Sequence, residues 1–366
     1  MTLEDLGWDA HFAESFAAGE GEAKGWVPAR LSQETKINFT AILGDGEQLE
    51  VVLSGKVWHD AATDADLPAV GDWVALDLDA GTEPIIREIL PRKSRFSRKA
   101  PLKAVEEQVI AANVDVIMVV TDPGDDFNLG RLERFHMLIG RSGAQPVIIL
   151  NKCDLHEEAR ISQCVEQLEA LGDDLQVHVL SATEGTGAEA LDVYFQQGRT
   201  VALCGSSGVG KSTLVNRFLG EDYLWTDTIN ARTGKGRHTT VARELVLLPG
   251  GGLLIDNPGI REVQMWTDET VLRESFADIE ELVSDCRFKD CKHRSDLGCA
   301  IRAAHEGGTI DRERYDRYLN LETEIAELKR LQKKRQCAVE RWAKRNHRVK
   351  ARNRADRDDE EDEFVR

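Results

Sequence analysis

Short apolar and β-branched runs separated by Gly and Asp turns fill the first quarter of the chain. Between about Gly25 and Pro91 there are five such runs, and each is the right length for one strand. The predicted strands are Trp26–Leu31, Lys36–Leu43, Gln48–Trp58, Asp72–Leu78 and Pro84–Leu90. Five short strands predict a small β-barrel, and the pattern alone leaves both an oligonucleotide-binding (OB) barrel and an SH3-like barrel open.

Beyond a basic linker, Arg92–Pro101, the pattern changes to buried aliphatic runs that alternate with helical segments. The predicted strands are Val114–Val120, Gln145–Asn151, Gln176–Ser181, Thr200–Cys204, Glu244–Leu248 and Gly252–Asp256. The predicted helices lie near Leu129–Gly140, Glu157–Leu171, Ala188–Gln196 and Lys211–Leu219. The turn at Pro249-Gly250-Gly251 makes the last two strands a hairpin. We therefore expect a mostly parallel sheet with one antiparallel strand, helices on both faces, and a ligand at the carboxyl ends of the strands.

The last third of the chain predicts a helix after about Thr267, a Cys/His cluster, and a long helix from about Asp311. Leu321, Ile325 and Leu328 give the long helix one apolar stripe. The chain as a whole therefore predicts a multidomain α/β protein with a helical C-terminal domain. The predicted regions are an extension over 1–24, a barrel over 25–97, an α/β domain over 98–266, a Cys/His and basic helical domain over 267–357, and an acidic tail over 358–366.

Charge is distributed unevenly along the chain. The net charge is 47 − 65 = −18, yet Lys329–Arg357 holds 13 Lys and Arg against two acids. A basic segment on an acidic protein indicates a polyanionic partner despite the overall charge. No aliphatic run reaches the ~20 residues of a membrane span, and the acidic Met1–Asp9 does not resemble a signal peptide. We expect a cytoplasmic monomer without a membrane partner.

The segment Gly205–Ser212 reads G-S-S-G-V-G-K-S and lies between a predicted strand and a predicted helix. This spacing and context are those of a phosphate-binding loop, in which backbone N–H groups and the helix N-terminus surround phosphate oxygens. Lys211 would reach the β- and γ-phosphates, and Ser212 would bind Mg²⁺. The predicted phosphate-site residues are Gly205, Ser206, Ser207, Gly208, Val209, Gly210, Lys211, Ser212 and Thr213.

The tetrapeptide Asn151-Lys152-Cys153-Asp154 follows a buried strand and fits a guanine-reading N-K-x-D. Asp154 can accept from guanine N1–H and N2–H₂, Asn151 can meet the O6/N7 edge, and the Lys152 stem can pack on the ring. Adenine lacks these donors, so ATP would be rejected. Ser181-Ala182, after the next strand, fits a backbone N–H contact to O6. The predicted guanine-site residues are Asn151, Lys152, Cys153, Asp154, Ser181 and Ala182.

Two further elements are expected to sense the γ-phosphate. Asp256-Asn257-Pro258-Gly259 is a D-x-x-G, in which Asp256 could hold Mg²⁺ and the Gly259 amide could bind the γ-phosphate. The basic loop Gly234–Thr240 supplies a threonine for Mg²⁺, and we favour Thr240 over Thr239. Ile260 stands where many GTPases place a water-orienting Gln, so intrinsic hydrolysis should be slow, with His238 or a group from a partner completing the site. The predicted catalytic residues are Lys211, His238, Thr240, Asp256 and Gly259.

Seven cysteines without an export signal indicate reduced thiols and metal chemistry, not disulfides. Cys286, Cys291, His293 and Cys299 lie within 14 residues and offer four ligands, enough for a closed, structural zinc site. His305 is the alternative fourth ligand.

The base-reading segments precede the phosphate loop, the reverse of the order in ordinary GTPases, which indicates a circular permutation. This order, with G-R-H-T-T at 236–240, D-N-P-G at 256–259 and the Cys/His cluster, resembles the RsgA (YjeQ) family of ribosome-dependent GTPases. The resemblance implies an OB-fold barrel, a permuted P-loop GTPase domain and a zinc-binding domain that act in late maturation of the small ribosomal subunit.

On that basis we expect a GTP hydrolase, with Mg²⁺ and one Zn²⁺, that the subunit stimulates and that leaves after hydrolysis. Its partners would be GTP and GDP, the small subunit with its rRNA, and further assembly factors. The barrel, the Arg92–Lys99 stretch and Lys329–Arg357 would contact RNA. An RNA-binding scaffold with a structural nucleotide and a metabolic kinase are the competing readings.

Overall fold

The computed structural model describes residues 1–34, 38–79, 81, 83–99, 107–220, 244–256, 272–273, 276–289, 291–323, 325–327, 329–330 and 333. Within these residues, one compact unit comprises 1–99 and 107–284, and a second comprises 285–333. The helices are α1 (Ala10–Ala18), α2 (Gly21–Lys24), α3 (Gly55–Asp60), α4 (Leu129–Ser142), α5 (Glu158–Glu169), α6 (Lys211–Leu219), α7 (Ala277–Val283) and α8 (Ala300–Glu306). The strands are β1 (Val27–Glu34), β2 (Phe39–Ile42), β3 (Gln48–Leu53), β4 (Trp73–Asp77), β5 (Ile85–Ile89), β6 (Arg95–Lys99), β7 (Glu107–Ala112), β8 (Val116–Thr121), β9 (Gln145–Leu150), β10 (Gln176–Val179), β11 (Thr200–Gly205), β12 (Glu244–Leu247) and β13 (Leu253–Asp256).

Strands β1 to β5 form a closed barrel in the order β1-β2-β3-β5-β4, with β4 returning to pair with β1. The β3–β5 pairing is parallel and the others are antiparallel. The predicted five strands and the OB-like barrel are thus confirmed. The strand predicted over Gln48–Trp58 ends early, because the Ser54 hydroxyl accepts from Val57 N at 3.3 Å and starts helix α3.

A parallel sheet in the order β10-β9-β8-β11-β13 forms the second part of this unit, and β12 is its antiparallel strand. Alternate residues of β8 pack into two hydrophobic cores, one on each face of the sheet. Val116, Met118 and Val120 belong to one core, and Ile117 and Val119 belong to the other. Burial on both faces explains the unbroken aliphatic runs in the sequence. The predicted strands, hairpin and two-sided helix cover are confirmed, except that the predicted helix at 188–196 is a 3₁₀ helix, Ala188–Tyr194.

The barrel and the parallel sheet are joined by hydrogen bonds. Strand β1 pairs with β12 through Gln33 and Glu244, which makes one sheet of eleven strands. Beside this junction the buried Arg30 donates to the carbonyls of Leu6, Gly71 at 3.2 Å and Asn113 at 3.0 Å. Burial lowers the pKa of Arg30 to about 10, so it remains charged at neutral pH. The guanidinium therefore ties the N-terminal segment, the barrel and the parallel sheet together.

The N-terminal extension is ordered on the barrel. Trp8, Phe12 and Phe16 pack around the buried Trp73, with the Trp8 and Trp73 ring centroids 4.7 Å apart. Asp9 caps helix α1 by accepting from His11 N at 3.0 Å. These aromatic contacts give residues 1–24 a packing role that their composition did not predict.

The basic stretch after the barrel is structured, which corrects its prediction as a linker. Strand β6 pairs antiparallel with β7, and Phe96 is completely buried. Arg92 makes two hydrogen bonds of 2.7 Å to the Asp72 carboxylate and donates to the carbonyls of Ala65 and Leu67. These bonds stabilise the barrel. Because the Arg92 guanidinium is already hydrogen-bonded within the barrel, it is not available to RNA.

The second unit contains α8 and a further helix over residues 312–323. Tyr318, Leu321 and Ile325 are buried, which confirms the predicted start of the long helix and two members of its apolar stripe. Leu328 and most of the basic segment Lys329–Arg357 lie outside the described residues. The helix predicted after Thr267 corresponds to α7, in the first unit.

Candidate functional site

The candidate nucleotide site lies where the parallel strands end. Strand pairing places Gly205 opposite Val120, Val120 opposite Ile149, and Leu203 opposite Asp256. The loops that follow β8, β9, β11 and β13 therefore leave the sheet at one edge. Strand β10 pairs with β9 in the same direction, so Ser181 follows at that edge as well. The fold brings together residues that are far apart in the sequence.

The phosphate loop spans residues 205–210 between β11 and α6. Gly205, Gly208 and Gly210 have φ angles of +139°, +84° and +100°. A Cβ at Gly205 would lie 2.3 Å from the Val120 carbonyl oxygen, and one at Gly210 would lie 2.2 Å from Asn151 Nδ2. Only glycine fits this backbone at both positions. Val209 is buried in the core, while Ser207, Gly208, Ser212 and Thr213 are exposed at the mouth of the loop.

Lys211 folds back across the loop. Its Nζ donates to the carbonyl oxygens of Gly205 at 2.9 Å and Ser206 at 2.6 Å. These bonds hold the ammonium group over the loop at the first residue of α6, whose N-terminus has no side-chain cap. An ammonium group and uncapped amide N–H groups at the same place suit an anion.

Asn151 is 1 % exposed and connects two loops. Its Nδ2 donates to the Val209 carbonyl oxygen at 2.7 Å, and its Oδ1 accepts from the Ala182 amide at 2.9 Å. The structure thus gives Asn151 a role that the motif did not predict, since both ends of the amide are bonded within the protein. The side chain holds the phosphate loop against the segment at 181–182.

The other residues of the N-K-x-D segment lie nearer the surface. Lys152 has a φ of +61°, and its Nζ is 3.2 Å from Asp122 Oδ2. Asp154 is exposed, whereas the Lys152 ammonium group is paired with Asp122. Burial raises the pKa of the Cys153 thiol, which keeps it neutral. Asp154 is therefore the carboxylate in this segment that is open to a ligand.

The Ser181-Ala182 segment is buried and internally bonded. Ser181 N donates to the Thr186 carbonyl oxygen at 3.0 Å, and the Ala182 amide is held by Asn151. Both predicted residues lie beside the phosphate loop, but their amides already have partners. The residues predicted to sense the γ-phosphate lie outside the described residues: His238, Thr239, Thr240, Gly259, Ile260 and the side chain of Asp256.

The four predicted metal ligands of the second unit form one cluster. The donor atoms of Cys286, Cys291, His293 and Cys299 all lie within 4.8 Å of one another. His293 Nδ1 is 3.6 Å from both Cys286 Sγ and Cys299 Sγ. Tetrahedral zinc, with Zn–S of ~2.3 Å and Zn–N of ~2.0 Å, would place S and N about 3.5 Å apart. The donor set therefore fits zinc.

Local structure holds these donors in place. His293 adopts a φ of +57°, and its N–H donates to Cys291 Sγ at 3.4 Å. Cys299 caps α8 by accepting from Arg302 N at 3.4 Å. Burial raises the pKa of the Cys291 thiol to about 11, so a bound cation must displace its proton. His305 is outside the cluster and stacks on Tyr315, with ring centroids 4.6 Å apart, which leaves His293 as the imidazole donor.

Comparison with known proteins shows the ancestry of the chain. The family model for the RsgA GTPase matches residues 89–266, and a model described as 50S ribosome-binding GTPase matches residues 200–333. A relative from Opitutus terrae, the small ribosomal subunit biogenesis GTPase RsgA, is 44 % identical over 336 residues, which cover 89 % of this chain and 90 % of the relative. The chain belongs to the RsgA family. It is therefore a GTP hydrolase, as the phosphate loop and N-K-x-D segment predicted.

Other members of the RsgA family agree in length and architecture. A protein of that name from Methanosarcina acetivorans is 40 % identical over 339 residues, or 90 % of this chain and 89 % of the relative. The crystal structure of YjeQ from Thermotoga maritima aligns with a TM-score of 0.58 and 24 % identity over 82 % of this chain and 99 % of that one. A structure titled as YloQ, a circularly permuted GTPase, gives 0.54 and 23 % over 82 % and 96 %. The fold confirms the predicted barrel and P-loop domain.

Sequence reasoning missed three polar residues of this RsgA-family site. Asp122 pairs with Lys152, and Asp126 pairs with Arg131, which also donates to Ser206 of the phosphate loop. The available signal was position, because both acids lie in the loop after the buried strand β8, as the predicted ligands follow β9 and β11. Across the described residues, no helix is long and apolar enough to span a bilayer.

Proposed function

We propose that this GTPase is a maturation factor of the small ribosomal subunit. The subunit stimulates GTP hydrolysis by the protein, and the protein leaves the subunit after hydrolysis. Identity of 44 % to a small ribosomal subunit biogenesis GTPase over nine-tenths of both chains carries this proposal. The second family model refers to the 50S particle. It matches a shorter part of the chain than the curated relatives, and we therefore favour the small subunit.

Guanine recognition rests on Asp154. Its exposed carboxylate can accept from N1–H and N2–H₂ of guanine, while the stem of Lys152, held by Asp122, can lie along the ring. Since the Ser181 and Ala182 amides are bonded internally, the exposed Thr183 is the better source of an N–H for O6. Asn151 contributes by holding the two loops at a fixed separation.

The triphosphate would lie along residues 205–213. Lys211, held above the loop, would meet the β- and γ-phosphates, and the exposed hydroxyl of Ser212 would hold Mg²⁺. Bound Mg²⁺ would neutralise phosphate charge during transfer. Asp256 and Thr240 remain the proposed further ligands. The Cys286, Cys291, His293 and Cys299 cluster would hold one Zn²⁺ with a structural role, since all four tetrahedral positions come from the protein.

Slow intrinsic turnover is expected because Ile260 cannot orient a water molecule. Stimulation by the subunit would then limit hydrolysis to the correct assembly state. The barrel and the basic segment Lys329–Arg357 are the proposed RNA contacts, and assembly factors are proposed further partners. Arg92 is not among the RNA contacts, since the barrel uses its guanidinium.

The test is GTP turnover across a titration of purified small subunits, with large subunits as the matched control. Stimulation by small subunits alone is the expected result. Stimulation by large subunits alone would contradict the proposed partner, and hydrolysis that neither particle changes would favour an RNA-binding scaffold. Labelled γ-phosphate should appear only as free phosphate, and its transfer to a metabolite would indicate a kinase.

A further inference from the structure

Arg131, in the first turn of α4, lies between the loop after β8 and the phosphate loop. Its Nη1 donates to Ser206 Oγ at 2.7 Å and to Asp126 Oδ1 at 3.0 Å. Its Nη2 donates to Asp126 Oδ2 and to the Asp126 carbonyl oxygen, both at 2.6 Å. Thr121 Oγ1 donates to Asp126 Oδ2 at 2.9 Å. The two charged side chains are only 18 % and 16 % exposed, so this is a partly buried, fully oriented pair.

The pair is charged but contributes no net charge to the site. Burial acts to raise the pKa of Asp126, but hydrogen bonds from Arg131 and Ser206 outweigh it and hold the pKa below its usual value. A guanidinium neutralised in this way adds little attraction for phosphate. Its contribution is to orient Ser206, because the planar guanidinium fixes the Ser206 hydroxyl relative to strand β8 and helix α4.

Ser206 is also the residue that anchors Lys211. Its carbonyl oxygen accepts from Lys211 Nζ at 2.6 Å, while its hydroxyl accepts from Arg131. One residue is thus held at two atoms by two cations. Any shift of Ser206 displaces the nearer of the two carbonyls that hold the Lys211 ammonium group, the other being that of Gly205, and phosphoryl transfer depends strongly on such placement.

We propose that Arg131, oriented by Asp126, is a positioning residue for GTP hydrolysis that acts through Ser206 on Lys211. This inference rests on the proposed placement of the phosphates along residues 205–213. Its effect should fall on the rate of the chemical step more than on nucleotide affinity, because the backbone amides that bind phosphate in the ground state remain.

The test compares Arg131→Lys, Ser206→Ala and the double variant in the full-length protein. Arg131→Lys keeps the charge and removes the fork, and Ser206→Ala removes one hydroxyl from the loop. Arg199→Lys is the matched control, because Arg199 precedes β11 at its opposite end and its guanidinium makes long hydrogen bonds of 3.4 Å to Val193 and Gln145. Single-turnover GTP hydrolysis, affinity for a fluorescent GDP analogue and the thermal midpoint are measured for each protein.

Each single variant should lower the hydrolysis rate about tenfold. The double variant should fall by about the same factor, since both changes break one path. GDP affinity should change less than threefold, and Arg199→Lys should match the wild type. If Arg131→Lys fails to fold, Ser206→Ala carries the test alone.

An unchanged rate in Ser206→Ala would overturn the inference, as would a hundredfold loss in the double variant, since Arg131 would then act independently of Ser206. A rate that falls only in parallel with GDP affinity and thermal midpoint would show a merely structural role and also overturn it. Wild-type protein that fails to hydrolyse GTP would instead remove the proposed function, so the two failures are distinguishable.

Discussion

The candidate nucleotide site and the Cys/His cluster are built in opposite ways. The nucleotide site draws on residues from Asp122 to Asp256, which the parallel sheet brings to one edge. Its loops are held by hydrogen bonds within the protein, as in the bridge that Asn151 makes to Val209 and Ala182. The cluster takes its four donors from 14 residues, and the donor atoms lie within 4.8 Å of one another.

This difference predicts different dependence on ligands. A site held by the sheet and its loops can keep its geometry without nucleotide, because the bonds that shape it are made between protein groups. The three sulfurs and the imidazole nitrogen lie within 4.8 Å of one another, and three cysteines at this spacing can all be thiolates only when a cation lies among them. The first site should therefore fail through the loss of single side chains, and the second through the loss of its metal.

Removal of zinc should have the largest effect. Chelation, or Cys299→Ser, is expected to unfold the local structure around 286–299, since structural zinc supplies about 10 kcal/mol or more to small domains. Zinc content and amide hydrogen exchange over α8 are the measurements. Cys164→Ala, a buried thiol in α5, is the control and should leave the zinc content unchanged. Full protection of the α8 amides from exchange in zinc-free protein would contradict the predicted dependence of this region on its metal.

Lys211→Ala should come next, with GTP hydrolysis reduced about 10²- to 10³-fold, because a preorganised charge on the transferring phosphate is lost. Its thermal midpoint should stay close to that of the wild type, since Lys211 is only partly buried and the Gly205 and Ser206 carbonyls that its ammonium group contacts lie in the adjoining loop. Single-turnover kinetics and differential scanning fluorimetry measure the two quantities. A large fall in the midpoint would mean that Lys211 supports the fold as well.

Asp154→Asn should lower affinity for GDP about a hundredfold, because the carboxylate that accepts from N1–H and N2–H₂ is replaced by an amide. Xanthosine diphosphate, which carries an oxygen in place of the guanine N2 amino group, should then bind better than GDP. Titration with both fluorescent diphosphates is the measurement. Since Asp154 is exposed, stability should not change, and unaltered guanine preference would remove Asp154 from the pocket.

Asn151→Ala is expected to cost about 2 kcal/mol in the free energy of unfolding, because the Ala182 amide and the Val209 carbonyl lose buried partners. Urea denaturation measures this loss. The variant separates loop positioning from base recognition. Asn151→Ala should weaken the binding of all nucleotides similarly, whereas Asp154→Asn should change the selectivity between bases. If Asn151→Ala instead lost affinity for guanine nucleotides selectively, Asn151 would contact the base edge, as the motif predicted.

The sequence was informative where one local pattern determines the structure. The aliphatic run at Val116–Val120 could only be a buried strand, and the glycines of 205–210 indicated a loop that other residues cannot form. Strand β6 was missed because Arg and Lys side chains obscure the alternation around Phe96. The β-branched pattern of β3 similarly hid the cap at Ser54.

Side-chain partners were harder to predict than site positions. The N-K-x-D pattern identifies Asn151 but not its bond to Val209, which lies 58 residues away. Arg131 and Ser206 are 75 residues apart, and only the pairing of β8 with β11 brings them together. Local patterns contain no information about such pairs until the sheet order is known.

The pairing between Gln33 and Glu244 limits how the chain can be dissected. A fragment starting after the barrel would leave β12 without its neighbour and present a new row of unpaired amides and carbonyls to solvent. It would also uncover Ile255, whose side chain lies against Gly71. Such a fragment should self-associate through that strand, so the boundary visible in the sequence is a poor place to truncate the gene for expression.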